Sequence, residues 1–158
     1  MLERTTGTSV SNFMATRLWQ PLGAEAAATW NLDSERSGFE KMESGLNARA
    51  VDYARFGLLF LHNGKWNGRR IVSKDWVRAA TRAGSPTEPV YYYDYGYFWW
   101  LDPDQPGRFY ALGKYGQYIY VAPDADTVVV RFGRSSGVTS TTWLATFRDV
   151  ADQLERRP

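Results

Sequence analysis

The sequence predicts an α+β fold in which helices pack against an antiparallel β-sheet meander. Two segments, residues 47–61 and 140–156, carry apolar side chains at helical spacing. Between them, residues 91–132 alternate short β-prone runs with turn residues, which is the pattern of consecutive antiparallel strands. A chain of 158 residues has the length of one domain, so residues 1–158 are expected to form a single domain with N- and C-terminal helices around the sheet.

The N-terminal part is predicted to form a short amphipathic helix followed by a long loop. Residues 9–18 have apolar side chains at helical spacing, Ser9 can cap the helix, and Pro21 lies beyond its end. Residues 23–45 lose this periodicity. Loops of that length inside a compact domain are often functional, so this segment is a candidate for contributing to a site.

The central segment predicts two more helices separated by a hairpin. Asn47 is the expected N-cap of a helix that ends near residue 61, whose broad apolar face indicates burial on most sides, and Gly64 can adopt the left-handed conformation that ends it. Asn67-Gly68 is the strongest turn signal in the chain and predicts a small hairpin. Ser73 is expected to cap a third helix that runs to about residue 82.

An aromatic run precedes the predicted sheet, with eight aromatic residues in the ten positions 91–100. In a strand, Tyr95, Tyr97 and Trp99 would face one way while Phe98 and Trp100 face the other. One set is therefore expected in the core, and the other is expected to contribute to the wall of a cleft. The alternative is that both sets only fill the space between the sheet and the helices.

Composition excludes several classes of function. Apolar residues make up 44% and charged residues 23%, which is typical of a globular domain, and the formal charge of +2 comes from scattered residues without a basic stripe, so no nucleic-acid partner is expected. The sequence contains no run of about 18 apolar residues, which is the length that a membrane-spanning helix requires. The chain has no cysteine and a single histidine, His62, so neither a disulfide nor a zinc site of ordinary composition is expected. A carboxylate-only metal site is possible in principle, but Asp102-Asp104 and Asp124-Asp126 are interpreted as turn residues. No metal and no cofactor is therefore expected, and the compartment stays open.

Residues 133–137 spell a formal G-x-S-x-G between a predicted strand and a predicted helix. A nucleophile elbow of that kind needs a histidine base that follows the serine, whereas His62 lies far upstream. The segment is therefore interpreted as a polar turn before the final helix, capped by Ser140 or a neighbouring threonine, and His62 as a residue at a helix C-terminus.

The segment Gly113-Lys114-Tyr115-Gly116-Gln117 is the most informative in the chain. Its two glycines remove side chains from the backbone where a substrate could lie, and several acyl-transfer enzymes hold an acyl carbonyl in this way. The alternative is a bulged strand that binds no ligand.

Six segments support a family resemblance when they are taken in order. They are LERTTG (2–7), LWQPLG (18–23), GLNARAVDYARFG (45–57), NGKWNG (63–68), YGYFWW (95–100) and GKYGQ (113–117). In that order they resemble the C-terminal half of the serine β-lactamase-related family, closest to its branch of class C-like esterases and 6-aminohexanoate-oligomer hydrolases. The resemblance covers nearly the whole chain and implies a partial β-lactamase/transpeptidase-like fold.

The resemblance also implies a chemistry. In that family a serine of an S-x-x-K motif attacks an amide or ester carbonyl, assisted by its lysine and by a Y-x-N tyrosine, and an acyl-enzyme forms. No serine in this chain has a lysine three residues on, and no tyrosine has an asparagine or serine two residues on. The resemblance therefore implies that both motifs precede Met1 and that this chain alone is inactive.

A third family motif, K-T-G or a relaxed form of it, supplies an oxyanion donor from a strand, and two registers fit it. With residues 114–116 in its place, the donor is the N–H of Gln117; with residues 111–113, it is the N–H of Lys114. The second register is preferred because both glycines and Tyr115 then match the pattern x-x-G-x-Y-G. The catalytic group assigned to this chain is thus the Lys114 N–H, a kind of donor worth about 3 kcal/mol in the transition state.

The remaining assignments concern the substrate, expected to be a small-molecule amide or ester. They place Gly113, Tyr115, Gly116 and Gln117 along it, with Trp100 bordering the cleft and Glu40 approaching from the long loop. A second hypothesis is a non-catalytic module that binds a peptide, a glycan or another subunit. A sheet without its neighbouring strands would expose an edge that can pair with another chain.

Overall fold

The computed structural model describes residues 2–42, 44–83 and 95–156. Its helices are α1 Leu2–Thr6, α2 Val10–Met14, which continues as a π-helical turn over Ala15–Trp19, α3 Ala50–Leu61, α4 Lys74–Ala80 and α5 Ser140–Glu155. Its strands are β1 Thr29–Trp30, β2 Leu46–Asn47, β3 Lys65–Trp66, β4 Arg69–Arg70, β5 Trp100–Leu101, β6 Phe109–Gly113, β7 Gln117–Ala122 and β8 Thr127–Arg131.

The main sheet is an antiparallel meander. Its strand order is β5-β6-β7-β8, so every strand pairs with its neighbour in the chain. Two-stranded antiparallel ribbons β1–β2 and β3–β4 lie outside it. The predicted α+β class and the predicted meander are confirmed.

Helices cover both faces of the sheet because the strands alternate apolar side chains on each face. On one face, Ile119 and Val121 of β7 belong to the core cluster that contains Phe60 of α3. On the other face, Tyr118 and Tyr120 belong to a second cluster with residues of α5. The result is three layers, with the sheet between α3 and α4 on one side and α5 on the other.

Local capping chemistry explains where several helices begin. The hydroxyl of Ser9 accepts the Asn12 N–H at 3.2 Å, and that of Ser73 accepts the Trp76 N–H at 3.1 Å, as predicted. Thr139 caps α5 in the same way. These oxygens satisfy backbone donors that have no partner inside the helix.

The hairpin predicted at Asn67-Gly68 is confirmed, and both residues have positive φ, 47° and 75°. The prediction for Asn47 is wrong. Asn47 lies in β2, where it pairs with Thr29, and α3 begins at Ala50 without a side-chain cap. Pairing with β1 keeps this segment extended, and a cap signal read from sequence cannot anticipate a partner that lies far along the chain.

The predicted alternation of residues 95–100 is also wrong. Only Trp100 belongs to a strand, and the backbone of Phe98 is left-handed, with a φ of 63°. Trp99 is buried, whereas Tyr97 and Phe98 are both exposed. The rest of the predicted aromatic run and the breaker segment before it fall within residues 84–94, outside the described residues. In the part of the chain that the structure describes, no helix combines the length and the apolar character that crossing a membrane requires.

Candidate functional site

The predicted site segment forms the hairpin between β6 and β7. Gly113 ends β6 and pairs with Gln117, the first residue of β7, so Lys114, Tyr115 and Gly116 form a three-residue turn. Tyr115 and Gly116 both have a left-handed backbone, with φ of 61° and 73°. The segment therefore joins the end of a strand to a tight turn rather than continuing as a strand.

The strand that leads into this turn has an open edge. β5 pairs only with Phe109 and Tyr110 of β6. Residues 111–113 have β7 on one side and no strand on the other among the described residues. Backbone groups at such an edge can form hydrogen bonds with an extended ligand.

The N–H of Lys114 lies at the turn end of this open edge. It donates to no backbone carbonyl in the described part of the chain. Gln117, in contrast, lies inside the β6–β7 ladder, where it pairs with Gly113. The Lys114 N–H is thus left for a ligand or for water.

The side chain of Gln117 ties the hairpin to the loop after β8. Its Nε2 donates to the Gly133 carbonyl at 2.5 Å, and its Oε1 accepts the Gly133 N–H at 3.0 Å. Both polar atoms of the amide are therefore engaged within the protein. A substrate contact of Gln117 stays a prediction and would have to use its backbone.

Arg131 is a residue of this region that sequence reasoning missed. Its guanidinium donates to the carbonyls of Tyr115, Gly116 and Ser135, and it lies over the ring of Trp143 at 4.1 Å from the centroid. The signal that could have found it is an arginine at the end of the otherwise apolar strand β8, next to glycines. Arg131 connects the hairpin, the loop after β8 and α5.

Trp100 lies at the other end of the open edge. It pairs with Tyr110 and packs beside the aromatic cluster under α5, with its ring 4.5 Å from that of Tyr95. Burial raises the pKa of Tyr95 above its ordinary value. Lys114 lies four residue steps along the chain from Tyr110, which is about 13 Å at the usual rise of a strand. Trp100 and the turn thus stand at opposite ends of a short strip of backbone.

A buried polar network fixes the β5 end of this strip. The carboxylate of Asp102, directly after β5, accepts the Tyr120 hydroxyl at 2.7 Å and the Arg148 Nε at 2.9 Å. Burial alone would raise the pKa of Asp102, but the hydrogen bonds from Arg148 and Tyr120 outweigh it and hold that pKa below its usual value. The neighbouring Arg108 is buried and bonds to Asp124 and Asp152, each at 2.7 Å. These contacts anchor β5 and the start of β6 to β7 and α5.

Glu40 and Tyr115 complete the predicted site residues. The Glu40 carboxylate accepts the backbone N–H of Ser11 at 2.9 Å and also the Ser11 hydroxyl, at the start of α2. No hydrogen bond joins Glu40 to the hairpin among the described residues, so its place beside the substrate stays a prediction. Tyr115 is 65% exposed, and its side chain is free to contact a ligand beyond the turn.

The formal G-x-S-x-G segment has a structural role. The carbonyl of Ser135 accepts from Arg131, and that of Ser136 accepts the Trp143 Nε1–H at 2.6 Å. His62 is the C-cap of α3, 4.0 Å from Asp126. Among the described residues, no group of three or more potential ligand side chains could hold a metal ion.

A cavity of about 580 Å³ lies elsewhere, between α2 and the segment that leads into β1. Its lining includes Trp19 and Trp30 but none of the predicted site residues. Among the described residues, the hairpin therefore does not line this cavity.

Comparison with known proteins assigns the chain to a class. The model of the family described as Beta-lactamase matches residues 1–143. The chain therefore belongs to the serine β-lactamase-related family, as its motifs predicted.

Individual relatives indicate which members of the family this chain is similar to. The chain is 30% identical over 139 residues to the 6-aminohexanoate-dimer hydrolase of Paenarthrobacter ureafaciens. The matched region covers 83% of this chain and 35% of that protein. A Bacillus anthracis structure assigned as a 6-aminohexanoate-dimer hydrolase matches 99% of this chain and 42% of its own, at 30% identity and a TM-score of 0.87. A Bacteroides dorei structure assigned as a beta-lactamase shares the fold at 18% identity, with a TM-score of 0.67 over 95% of this chain and 54% of its own. The chain thus spans 35% and 42% of the lengths of the Paenarthrobacter ureafaciens and Bacillus anthracis relatives.

Proposed function

We propose that this chain supplies the oxyanion donor and one wall of the substrate cleft of a serine hydrolase that cleaves amide or ester bonds through an acyl-enzyme. The observation that carries the proposal is the Lys114 N–H. It is a backbone donor without a backbone acceptor in the described part of the chain, and it lies where an open strand edge meets a tight turn. Such donors stabilise the negative oxygen of a tetrahedral intermediate.

The geometry favours Lys114 over Gln117 as the donor. Gln117 is the first residue of an interior strand, whose N–H groups are directed at neighbouring strands, and its side chain holds Gly133. Lys114 begins the turn, outside the strand ladder. In this proposal the lysine acts through its backbone, and its exposed side chain is not the base.

The substrate class follows from the strip between Trp100 and the turn. An extended amide can pair with the open backbone of residues 111–113 while its apolar part contacts Trp100 and the exposed ring of Tyr115. A linear amide with a short aliphatic chain fits this arrangement. The Paenarthrobacter ureafaciens relative, a 6-aminohexanoate-dimer hydrolase, agrees with that class.

The nucleophile and the base are proposed to come from outside these residues. The sequence has neither S-x-x-K nor the Y-x-N pattern, and the relatives are more than twice as long. We therefore expect the purified chain to leave the 6-aminohexanoate dimer, a short-chain nitrophenyl ester and a chromogenic β-lactam unhydrolysed. Turnover that disappears when any serine of the chain is replaced would contradict this expectation.

A chimera tests the donor directly. In it, this chain replaces the matching segment of the Paenarthrobacter ureafaciens hydrolase, and Lys114→Pro is compared with Lys114→Ala. Proline removes the N–H, whereas alanine removes only the side chain. We expect Lys114→Pro to lower kcat by about 100- to 1000-fold and Lys114→Ala to leave it within a few fold.

Two outcomes of that comparison would overturn the assignment, provided circular dichroism shows both variants folded. Full activity in Lys114→Pro would mean that the oxyanion donor lies elsewhere. Equal losses in both variants would mean that the lysine side chain takes part in the reaction.

The free edge of β8 supports a separate proposal about partners. β8 pairs with β7 alone in the described part of the chain. We propose that this edge pairs with a strand from outside these residues, and that the isolated chain self-associates through it. A clean monomer in size-exclusion chromatography over a wide concentration range would count against self-association.

A further inference from the structure

Arg131 occupies a place built to hold a guanidinium. It is the last residue of β8, on the α5 side of the sheet, and its planar group lies over the ring of Trp143 at 4.1 Å from the centroid. Nη1 donates to the carbonyls of Tyr115, at 3.3 Å, and Gly116, while Nη2 donates to that of Ser135 at 3.1 Å. One side chain thus engages three carbonyls and an aromatic ring.

Two glycines make room for this group. A Cβ at Gly116 would lie 2.7 Å from Nη1 of Arg131, and a Cβ at Gly133 would lie 2.6 Å from the same atom and 2.8 Å from Nη2. Any larger residue at either position would displace the guanidinium or the backbone. Gly116 also needs its left-handed backbone, so the turn and the arginine fit each other.

The position calls for arginine rather than for positive charge alone. A planar guanidinium can stack on an indole and donate in several fixed directions at once, whereas a lysine ammonium is a compact point charge. In the described part of the chain, no carboxylate forms an ion pair with Arg131. Its charge is therefore met by carbonyl oxygens and the Trp143 ring rather than by a carboxylate.

We propose that Arg131 is a positioning residue that orients the Lys114 N–H toward the oxyanion. It acts through the carbonyls of Tyr115 and Gly116, which it holds against Trp143 and α5. Gln117 and Gly133 reinforce the same attachment through their paired hydrogen bonds. This inference rests on the proposed function, because it assigns a role to the donor at Lys114.

The test compares Arg131→Lys and Arg131→Ala with Arg134→Ala. Arg134 is exposed on the same loop, has no hydrogen bond or ion pair among the described residues, and serves as the matched control. In the isolated chain, ¹H–¹⁵N spectra report the Lys114 and Gly116 amides, and hydrogen exchange reports the Gly133 amide. The Asn67-Gly68 hairpin is the distant reference for an intact fold.

We expect both Arg131 variants to shift the Lys114 and Gly116 amide signals and to raise the exchange rate of the Gly133 amide by about tenfold or more, since its bond to Gln117 loosens. The reference hairpin and Arg134→Ala should match the parent. In the chimera, Arg131→Lys should lower kcat by about tenfold or more while KM stays within a few fold, as expected for a group that serves the transition state.

Unchanged Lys114 and Gly133 signals in Arg131→Lys would overturn the positioning role, even if Lys114→Pro abolishes turnover. A kcat in Arg131→Lys equal to that of the parent would also overturn it. Full activity of Lys114→Pro, in contrast, would refute the proposed donor while the spectra still report whether Arg131 holds the turn. The two proposals therefore fail on different measurements.

Discussion

Asp102 and Asp104 offer a stability experiment with a control inside the same ion-pair cluster. Both carboxylates bond to Arg148, but the Asp102 side chain is 0% exposed and the Asp104 side chain is 67% exposed. Asp102 additionally accepts the Tyr120 hydroxyl and the Asp104 N–H. Replacing each by asparagine keeps the shape and removes the charge, so the comparison sets a buried carboxylate with two further donors against an exposed one.

The expected magnitudes differ because water compensates only the exposed residue. Breaking a buried ion pair by changing one partner costs about 3–5 kcal/mol. Arg148 is 15% exposed and keeps Asp104 as a partner, so we expect Asp102→Asn to cost about 3 kcal/mol, the lower end of that range. Asp104→Asn removes a surface pair and should cost less than about 1 kcal/mol.

Urea unfolding at pH 7, followed by far-UV circular dichroism, measures both free energies of unfolding. Equal losses in the two variants would refute the reasoning, because they would show that Asp102 is solvated as well as Asp104. A stabilised Asp102→Asn would refute it more strongly, since the carboxylate would then be a net cost of folding. Arg148→Lys should fall between the two, because lysine keeps the charge but not the forked geometry.

Three further predictions concern the same layers. Because the folded-state pKa of Asp102 is lowered, the stability that its carboxylate contributes is present above about pH 4 and is lost as the pH falls through that lower pKa. Between pH 7 and pH 3, the urea midpoint should therefore fall less in Asp102→Asn than in the parent. Tyr120→Phe should cost about 1.5–3 kcal/mol in urea unfolding, since it removes a hydrogen bond to a buried charge, and no loss would show that the hydroxyl is dispensable. Gly57→Ala should lower Tm despite the better helix propensity of alanine, because the added Cβ would lie 2.6 Å from Cγ1 of Val128 and 2.9 Å from Cγ2 of Ile119. A raised Tm would mean that α3 moves away from the sheet without cost.

Local signals in the sequence predicted much of the fold. Ser9, Ser73 and Asn67-Gly68 act on backbone groups only a few residues away, so their effect can be read without knowing the rest of the structure. Asn47 failed as a cap because its partner in β1 is Thr29, which is distant in sequence. Residues 95–99 failed as a strand for a related reason, since a short aromatic run carries no signal for the left-handed residue at Phe98.

The candidate site likewise has features that leave a local signal in the sequence and contacts that do not. The glycines at positions 113 and 116 marked this segment as a strand edge that a ligand could approach, whereas the structure places a tight turn between Gly113 and Gln117. Which atoms hold that hairpin left no comparable trace. The position of Gln117 next to the motif predicts a substrate contact, which stays a prediction, but it does not reveal that the Gln117 side chain bonds to Gly133.

The sequence by itself determined the α+β class, the meander, the family and the segment in which the oxyanion donor is proposed to lie. Those features depend on periodicity, capping and turn residues, all of which act over short distances along the chain. Only the tertiary structure decided that β6 has an open edge beside the turn and that Arg131 connects Gly116, Ser135 and Trp143. The contacts of Arg131 with Gly116 and Trp143 join residues distant in sequence, and they exist only after the sheet and α5 have packed together.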